Sequence, residues 1–488
     1  MKDGNCLNVI RVDSQWSSLS CLLLFVVKNP PSLALGKLPP VVWADILAIA
    51  LSWGECMRCR DADSIPRSRE PMKTTRSIRT MHSLAICALL ITAVATGIFF
   101  ASPACAANLT TLASFNYASG VHPSAGLIAD SDGSLYGTAL DGGGPNIYGT
   151  VFKVNPTTGA LVTLASFNGA NGQTTLGGLI ADAHGNLYGT TRRGGANGYG
   201  TVFKIDSVTN ALATLISFNG DNGGFSRAGL IADADGNLYG TTSVGGTSND
   251  GTIFKLDPVT GILTTLASFD GVIGRDPRAR LIADSVGNLY GTTYGAVGAV
   301  FKFNPVTNAL TKLAQFDVHN GEQPSAGLIA DADGNLYGTT AYGGASNGGT
   351  VFKLNPATGD LTTLVSFAGA NGRIPFGDLI ADANGNLYGT TSYGGASDLG
   401  TVFKLDLATG ALTTLTSFNG VNGANPYAGL VADADGNLYS TTGFGGEFDA
   451  GTVFKLTDTG FVVPAVPEPM SLSLLALGGA AVVRRRRA

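Results

Sequence analysis

Residues 107–466 of this 488-residue chain contain no cysteine, no tryptophan and no methionine. That part therefore has neither a disulfide framework nor a thiol nucleophile. Charged residues make up only 13% of the chain, against the usual ~25%, which excludes a charged disordered polymer and a coiled coil. Residues 107–466 have 15 Lys and Arg against 27 Asp and Glu, a net charge of −12. This acidic body argues against a nucleic-acid partner, which needs a basic surface.

Residues 72–106 have the three parts of a secretory signal peptide. The positive region contains Lys73, Arg76 and Arg79. The apolar run spans residues 84–100, and Ala104 and Ala106 form the small-x-small cleavage pattern. The pattern predicts export and cutting by signal peptidase near Ala106. An uncleaved membrane anchor is one alternative. A lipoprotein on Cys105 is another, although the residues before it lack the aliphatic residue of a lipobox.

Residues 1–71 precede this signal peptide, where no folded domain is expected. Their composition differs from the rest of the chain, since all three tryptophans lie there. We interpret them as a disordered, non-native extension caused by a start codon placed too early, with the true start at Met72 or Met81. Cys56 and Cys59 have no second pair and do not predict a zinc site.

The C-terminal residues 467–488 consist of a short motif, an apolar run and an arginine cluster. These parts are Pro467, Glu468 and Pro469, then residues 471–483, then Arg484, Arg485, Arg486 and Arg487. The run is shorter than the ~20 residues of a stable membrane span, but it suffices for a transient helix stopped by cytoplasmic positive charge. The order of parts resembles the PEP-CTERM sorting signal of Gram-negative bacteria that make extracellular polysaccharide. That resemblance implies processing by an exosortase, with the helix inserted in the membrane beforehand, and export to the cell surface or matrix.

The middle of the chain is built from seven repeats, which should be sought before any local assignment. The string D-x-x-G-x-L-Y begins at Asp130, Asp182, Asp233, Asp284, Asp331, Asp382 and Asp433. Each unit contains four β-type runs, as GLIAD, NLYGTT, GTVFKL and LTTLVSF in residues 327–367. Asp-Gly and Asn-Pro turns separate the runs and favour antiparallel hairpins. Four such strands per ~50 residues are typical of one propeller blade.

The two ends of the repeat region predict a closed ring. The seventh unit stops after its third strand at residue 456, and the missing fourth strand stands alone at residues 109–115. A ring explains this division because the N-terminal strand can complete the last blade and remove free edges. We predict an all-β fold, a monomeric seven-bladed β-propeller of four-stranded blades over 108–457, followed by a linker at 458–466. A β-solenoid is the alternative.

The units resemble the Gloeo–Verruco tandem repeat family, known mainly from secreted and surface proteins. The matching signature is D-x-x-G-N-L-Y-G-T-T followed by G-T-V-F-K, and it covers nearly all of 109–456. The departures from it are Ser134, Ala139, Ala299 and Ser440. The resemblance supports the fold and an exported location, and it implies no enzymatic activity.

The connections between strands fall into a uniform and a variable class. The Asp-Gly and Asn-Pro turns hardly vary between units. The connections from strand four to strand one, and from strand two to strand three, vary much more and should emerge together on what we call the variable-loop face. Since function usually lies on variable loops over a rigid scaffold, we predict binding there. The candidate residues are Arg192, Arg193, Arg275, Arg278, Arg280, His319, Glu322, Arg373 and Asp378.

Two of these candidates, Arg280 and Asp378, replace the glycine that opens strand one in the other five units, so we expect them at the mouth of the central channel. Guanidinium groups bind carboxylates with two parallel hydrogen bonds, which suits the uronic acids of an extracellular polysaccharide. A surface protein is the other partner considered. Scattered solvated charges are the simpler interpretation.

We therefore interpret the chain as a non-enzymatic binding or structural module of the extracellular matrix. The alternative is a carbohydrate-active or lactone-hydrolysing propeller enzyme with a site at the channel mouth. Residues 107–466 contain two Glu and three His. They form no local catalytic motif.

A calcium site is a separate hypothesis, because an Asp-x-Asp-Gly turn places two carboxylates together. The candidate ligands are Asp233, Asp235, Asp331, Asp333, Asp433 and Asp435. Three of the seven turns lack the second carboxylate, and the first Asp of such a turn also caps backbone N–H groups. The preferred interpretation is structural, with no cofactor.

Overall fold

The computed structural model describes residues 107–144, 148–295 and 297–464, and regular structure within these ranges is entirely β. The strands are β1 (Asn108–Ser114), β2 (Val121–Pro123), β3 (Ile128–Ala129), β4 (Leu135–Asp141), β5 (Thr150–Val154), β6 (Leu161–Ser166), β7 (Ile180–Ala181), β8 (Leu187–Thr191), β9 (Thr201–Ile205), β10 (Leu212–Ser217), β11 (Ile231–Ala232), β12 (Leu238–Thr242), β13 (Thr252–Leu256), β14 (Leu263–Ser268), β15 (Ile282–Ala283), β16 (Leu289–Thr293), β17 (Ala299–Asn304), β18 (Ala309–Gln315), β19 (Ile329–Ala330), β20 (Leu336–Thr340), β21 (Thr350–Leu354), β22 (Leu361–Ser366), β23 (Ile380–Ala381), β24 (Leu387–Thr391), β25 (Thr401–Leu405), β26 (Leu412–Ser417), β27 (Val431–Ala432), β28 (Leu438–Thr442) and β29 (Thr452–Thr457).

These strands form seven antiparallel blades in a ring, which confirms the predicted propeller. Blades 1 to 6 are β3–β6, β7–β10, β11–β14, β15–β18, β19–β22 and β23–β26. Blade 7 joins β27–β29 to β1, whose Asn108 lies opposite Thr457. The N-terminal strand therefore closes the ring as expected.

Blade 1 differs from the prediction by an additional short strand, β2, which pairs with β4. Five other blades have an isolated bridge in the same connection, such as Gln173 with Arg193. Blade 1 therefore differs from those five blades in the length of this pairing, because β2 extends a contact that is one residue long in each of them.

The signal peptide, the N-terminal extension and the PEP-CTERM tail lie outside the described residues, so they stay predictions. Within the part of the chain that the structure describes, no helix is long and apolar enough to cross a membrane.

The apolar core consists of seven clusters, each between two neighbouring blades. At the centre of each, the Phe after the fourth strand of one blade meets the Phe of the third strand of the next, edge to face. The ring centroids of these seven pairs lie 4.8–5.3 Å apart. Phe115 and Phe152 form the pair that crosses the closure between blades 7 and 1. Edge-to-face packing is the arrangement that the ring quadrupole prefers.

The glycine of the second strand is required by the same packing. A Cβ on Gly240 would lie 2.6 Å from Cζ of Phe254 in its own blade, far inside van der Waals contact. Blade 7 has Ser440 at this position, and its hydroxyl donates a hydrogen bond of 2.8 Å to the carbonyl of Gly429.

The Asp-Gly turns are closed by their own first aspartate. Asp233 Oδ1 accepts from the N–H groups of Asp235 and Asn237, and Oδ2 accepts from the Asn237 amide and the Tyr239 hydroxyl. Burial alone would raise the pKa of Asp233, but these hydrogen bonds outweigh it and leave the pKa below its usual value. Burial, together with the Asp233 carboxylate, raises the pKa of Tyr239 to about 12. The geometry agrees with the structural interpretation of the first Asp, whereas calcium binding stays a prediction.

Substituting Phe115 tests whether the ring is closed as described. Phe115 is fully buried, so Phe115→Ala should lower the free energy of unfolding by about 3–5 kcal/mol through lost burial and a cavity. The measurement is the midpoint of denaturant unfolding of the purified protein.

The matched control is Phe269→Ala, which removes the equivalent ring between blades 3 and 4. Both variants should be destabilised by similar amounts. If Phe269→Ala is destabilised and Phe115→Ala unfolds like the wild type, β1 does not close the ring.

The aspartate turns predict a loss of stability in acid. Five first-position aspartates, Asp182, Asp233, Asp284, Asp331 and Asp433, have a lowered pKa in the folded protein. Their stabilisation is complete above the unfolded pKa of about 3.9 and is lost as the pH falls through the lower folded value. Denaturant midpoints measured from pH 7 to pH 3 should therefore fall steeply only below about pH 4.

Asp233→Asn should lower stability at pH 7 by about 1 kcal/mol, since it removes charge-assisted hydrogen bonds. Asp235→Asn is the matched control in the same turn, because the Asp235 side chain is exposed and does not close the turn. Equal midpoints for the two variants would contradict this account.

Candidate functional site

The variable-loop face has a repeated backbone frame. The connection into the first strand of every blade contains one non-glycine residue with φ between 52° and 62°, namely His122, Thr174, Phe225, Asp276, Gln323, Ile374 and Asn425. Such left-handed conformations are uncommon and are true outliers for β-branched residues. Each of these residues donates its backbone N–H to a carbonyl of the preceding blade at 2.7–3.0 Å. Neighbouring blades therefore fix the loop, and only the side chains differ.

A cavity of about 450 Å³ lies on this face among the connections of blades 2 to 4. Four arginines and two aromatic residues dominate its lining, namely Arg192, Arg227, Arg275, Arg278, Phe225 and Tyr294. Its two acidic residues are Asp250 and Asp276. The cavity therefore has a net charge of +2 within a body of charge −12.

Arg278 is oriented by two neighbours. Its Nε donates to Asp276 Oδ2 at 2.8 Å, and its Nη2 donates to the same oxygen. Its guanidinium lies 3.5 Å from the ring centroid of Tyr294. The Arg192 guanidinium lies farther from an aromatic ring, 6.0 Å from the ring centroid of Phe225. Stacking on Tyr294 restricts where the planar Arg278 guanidinium can present its N–H groups.

Arg227 is the cavity residue that the sequence reasoning missed. It is half-buried, and its pKa is lowered to about 10 by burial and by the positive charges of Arg278 and Arg192. It therefore keeps its charge at neutral pH. The signal was available in the sequence, because the equivalent positions in the other units vary between Ser, Leu, Arg, Phe and Tyr.

Several polar atoms of this lining are buried without a hydrogen-bond partner among the described residues. They are Arg192 Nε, Arg227 Nε, Ser243 Oγ and Asp276 Oδ1. Buried polar groups are normally paired, so a concentration of unpaired ones in one cavity points to a ligand-binding role.

Arg280 and Asp378 meet each other across blade 5. Arg280 Nε lies 2.6 Å from Asp378 Oδ2, and the backbone N–H of Gly327 donates to Asp378 Oδ1 at 2.6 Å. A Cβ on Gly327 would lie 2.9 Å from Arg280 Cγ and 3.1 Å from the Asp378 oxygens. The two charges that replace glycine near the axis are thus mutually neutralised, and a ligand role for them stays a prediction.

The other candidates lie apart from the cavity. Arg373 forms an exposed ion pair of 2.6 Å with Asp398. His319 and Arg193 are exposed, and Glu322 and Arg193 form backbone bridges with Tyr342 and Gln173. The structure thus brings together Arg192, Arg275 and Arg278 of the predicted set.

A cluster of His319, Glu322, Arg280 and Asp378 around one metal ion would favour the enzyme alternative. Among the residues with described coordinates, no group of three or more metal-binding side chains occurs.

Comparison with solved structures finds chains of low sequence identity. One is the extracellular domain of a putative hybrid two component system from B. thetaiotaomicron, which is 17% identical with a TM-score of 0.49. The match includes 74% of this chain and 44% of that solved chain. Oligogalacturonate lyase from Vibrio parahaemolyticus is 13% identical, covers 71% and 93%, with a TM-score of 0.46. The chain thus spans less than half of the former protein's length. At these values the similarities carry no information on function.

Curated protein sequences include no match to this chain. A family model described as the Gloeobacter/Verrucomicrobia repeat matches residues 91–297 and 294–465. These two matches together span most of the sequence and include all seven repeats. The chain therefore belongs to the Gloeobacter/Verrucomicrobia repeat family.

Proposed function

We propose that this propeller is a non-enzymatic binding module of the cell surface or extracellular matrix, which contacts an acidic polysaccharide through its variable-loop face. The observation that carries the proposal is the distribution of its cations. All seven arginines of residues 107–466 lie in or directly after the connections of that face, namely Arg192, Arg193, Arg227, Arg275, Arg278, Arg280 and Arg373.

The lysines have a different place and role. Seven of the eight lysines in residues 107–466 lie on the third strands, over the tyrosine of the adjacent strand, as Lys255 lies 5.7 Å from the Tyr239 ring. The eighth, Lys312, lies on β18. The arginines are therefore concentrated where a planar carboxylate can be bound by two hydrogen bonds, which lysine cannot provide.

The course of the chain after blade 7 supports an outward-facing binding surface. The carbonyl of Val462 accepts from the N–H of Ala383 in an Asp-Gly turn at 2.8 Å, and the Phe461 ring packs 5.0 Å from that of Tyr388. The chain after blade 7 therefore lies against the face formed by the uniform turns, which is opposite the variable-loop face. A C-terminal sorting tail would then attach to the uniform face and direct the variable-loop face away from the membrane.

Binding of the purified protein to alginate, an acidic polysaccharide, and to neutral dextran tests this function. Affinity electrophoresis should show retardation by alginate and none by dextran. Arg275→Ala should weaken retardation several-fold, because an exposed charge at a binding site contributes about 1 kcal/mol.

Lys353→Ala is the matched control, since it also removes one positive charge but from the third strand of blade 5, where Lys353 lies 5.7 Å from the Tyr337 ring. A protein that does not bind alginate, or alginate binding that Lys353→Ala weakens as much as Arg275→Ala does, would contradict the proposed face. Shortening of the alginate would favour the enzyme alternative, and loss of binding with a calcium chelator would favour the calcium hypothesis.

A further inference from the structure

The cavity lined by Arg192, Arg227, Arg275 and Arg278, which we call the four-arginine cavity, has features that require more of a ligand than negative charge. We infer that it binds one uronate unit, meaning a hydroxylated sugar ring with a single carboxylate. This inference rests on the proposed function and adds the chemistry of the group that is recognised.

The first requirement is an anionic acceptor. Arg192 Nε and Arg227 Nε are buried donors without a partner in the described part of the chain. An ionised ligand oxygen satisfies such donors with strong, charge-assisted hydrogen bonds. Arg227 is also free of any ion pair within 4.0 Å among those residues, unlike Arg278, which is paired with Asp276. Arg227 is therefore the residue to which we assign the ligand carboxylate.

The second requirement is a set of donors. Asp276 uses Oδ2 for Arg278, while its buried Oδ1 has no donor among the described residues. A carboxylate cannot donate a hydrogen bond at neutral pH, so the complementary ligand group must be a hydroxyl or N–H. Ser243 Oγ is likewise buried and unpaired there, and it can accept from or donate to such a group.

The third requirement is that one ligand carries both an anionic group and hydrogen donors, since charge alone does not exclude a phosphate. Asp250 and Asp276 reduce the cavity charge to +2. A phosphate monoester brings a charge of about −1.5 to −2, and it offers Asp276 little or no hydrogen to accept. A carboxylate on a hydroxylated ring brings one charge and several donors. It therefore satisfies both kinds of unpaired atom at once.

The size of the cavity is consistent with a sugar unit. Its volume of about 450 Å³ lies within the range of ~300–1,000 Å³ found for small-molecule sites. The rings of Phe225 and Tyr294 form apolar parts of its wall, against which the less polar face of a sugar ring can lie.

Calorimetric titration of the purified protein tests this inference, with sodium glucuronate, glucose and inorganic phosphate as the three probes. Glucuronate should bind with one site per chain, and the other two probes should bind at least about tenfold more weakly. Arg227→Gln should weaken glucuronate binding by about tenfold to a hundredfold, the value of a charge-assisted hydrogen bond. Arg227→Lys should give an intermediate affinity, because it restores the charge without the fork.

Lys353→Gln is the matched control, since it removes one positive charge from the third strand of blade 5, which is not part of the proposed binding face. It should bind glucuronate like the wild type. Phosphate affinity equal to that of glucuronate would overturn the inference, as would glucuronate affinity unchanged in both Arg227 variants.

The alginate assay separates this inference from the proposed function. If alginate still binds while glucuronate does not, or if Arg227→Gln leaves alginate binding intact, the uronate cavity is wrong and the binding face stands. If neither ligand binds, the proposed function is wrong and the inference falls with it.

Discussion

The edge-to-face contact between phenylalanines of neighbouring blades is the interaction on which the whole ring depends. A single four-stranded sheet of this size has no core of its own, since every apolar cluster here is built from two blades. The Phe115–Phe152 pair differs from the others only in joining the two ends of the repeat region. The contact has nearly the same geometry at all seven interfaces, and β1 supplies the strand that the last repeat lacks.

The high glycine content follows from the close approach that this packing imposes. Glycine lies under the third-strand Phe in six blades, where a Cβ would meet that ring. It also opens the first strand in five blades, and there a Cβ on Gly229, Gly327 or Gly429 would lie 2.9–3.1 Å from neighbouring atoms. Where another residue stands at these places, it is compensated. Ser440 bonds to a carbonyl, and Arg280 and Asp378 satisfy each other. An arginine alone near the axis would leave a charge without its partner.

The sequence predicted the fold well because the repeat period, the turn residues and the divided last unit each constrain topology directly. It predicted the candidate site only in part. Arg192, Arg275 and Arg278 were identified as loop arginines, whereas Arg227 was overlooked although its position varies between units. The Arg280–Asp378 contact joins residues 98 positions apart. The left-handed loop residues could not be predicted either, because hydrogen bonds that they donate to the neighbouring blade fix their conformation. Their residue types do not favour it, since Ile374 and Thr174 are poor choices for that conformation.

An acidic body and an anion-binding cavity are compatible because electrostatic forces are screened over a short distance. At an ionic strength of about 0.15 M the screening length is roughly 8 Å, which is shorter than the distance across a propeller ring. A carboxylate that reaches Arg227 therefore responds to the four arginines around it, while most of the 27 acidic residues are too far away to oppose it. Their repulsion instead discourages unspecific adsorption of polyanions to the rest of the surface. In the proposed function, the net charge of −12 on residues 107–466 would thus restrict polyanion binding to the cavity, and the short-range geometry of the cavity's donors and acceptors would supply the selectivity.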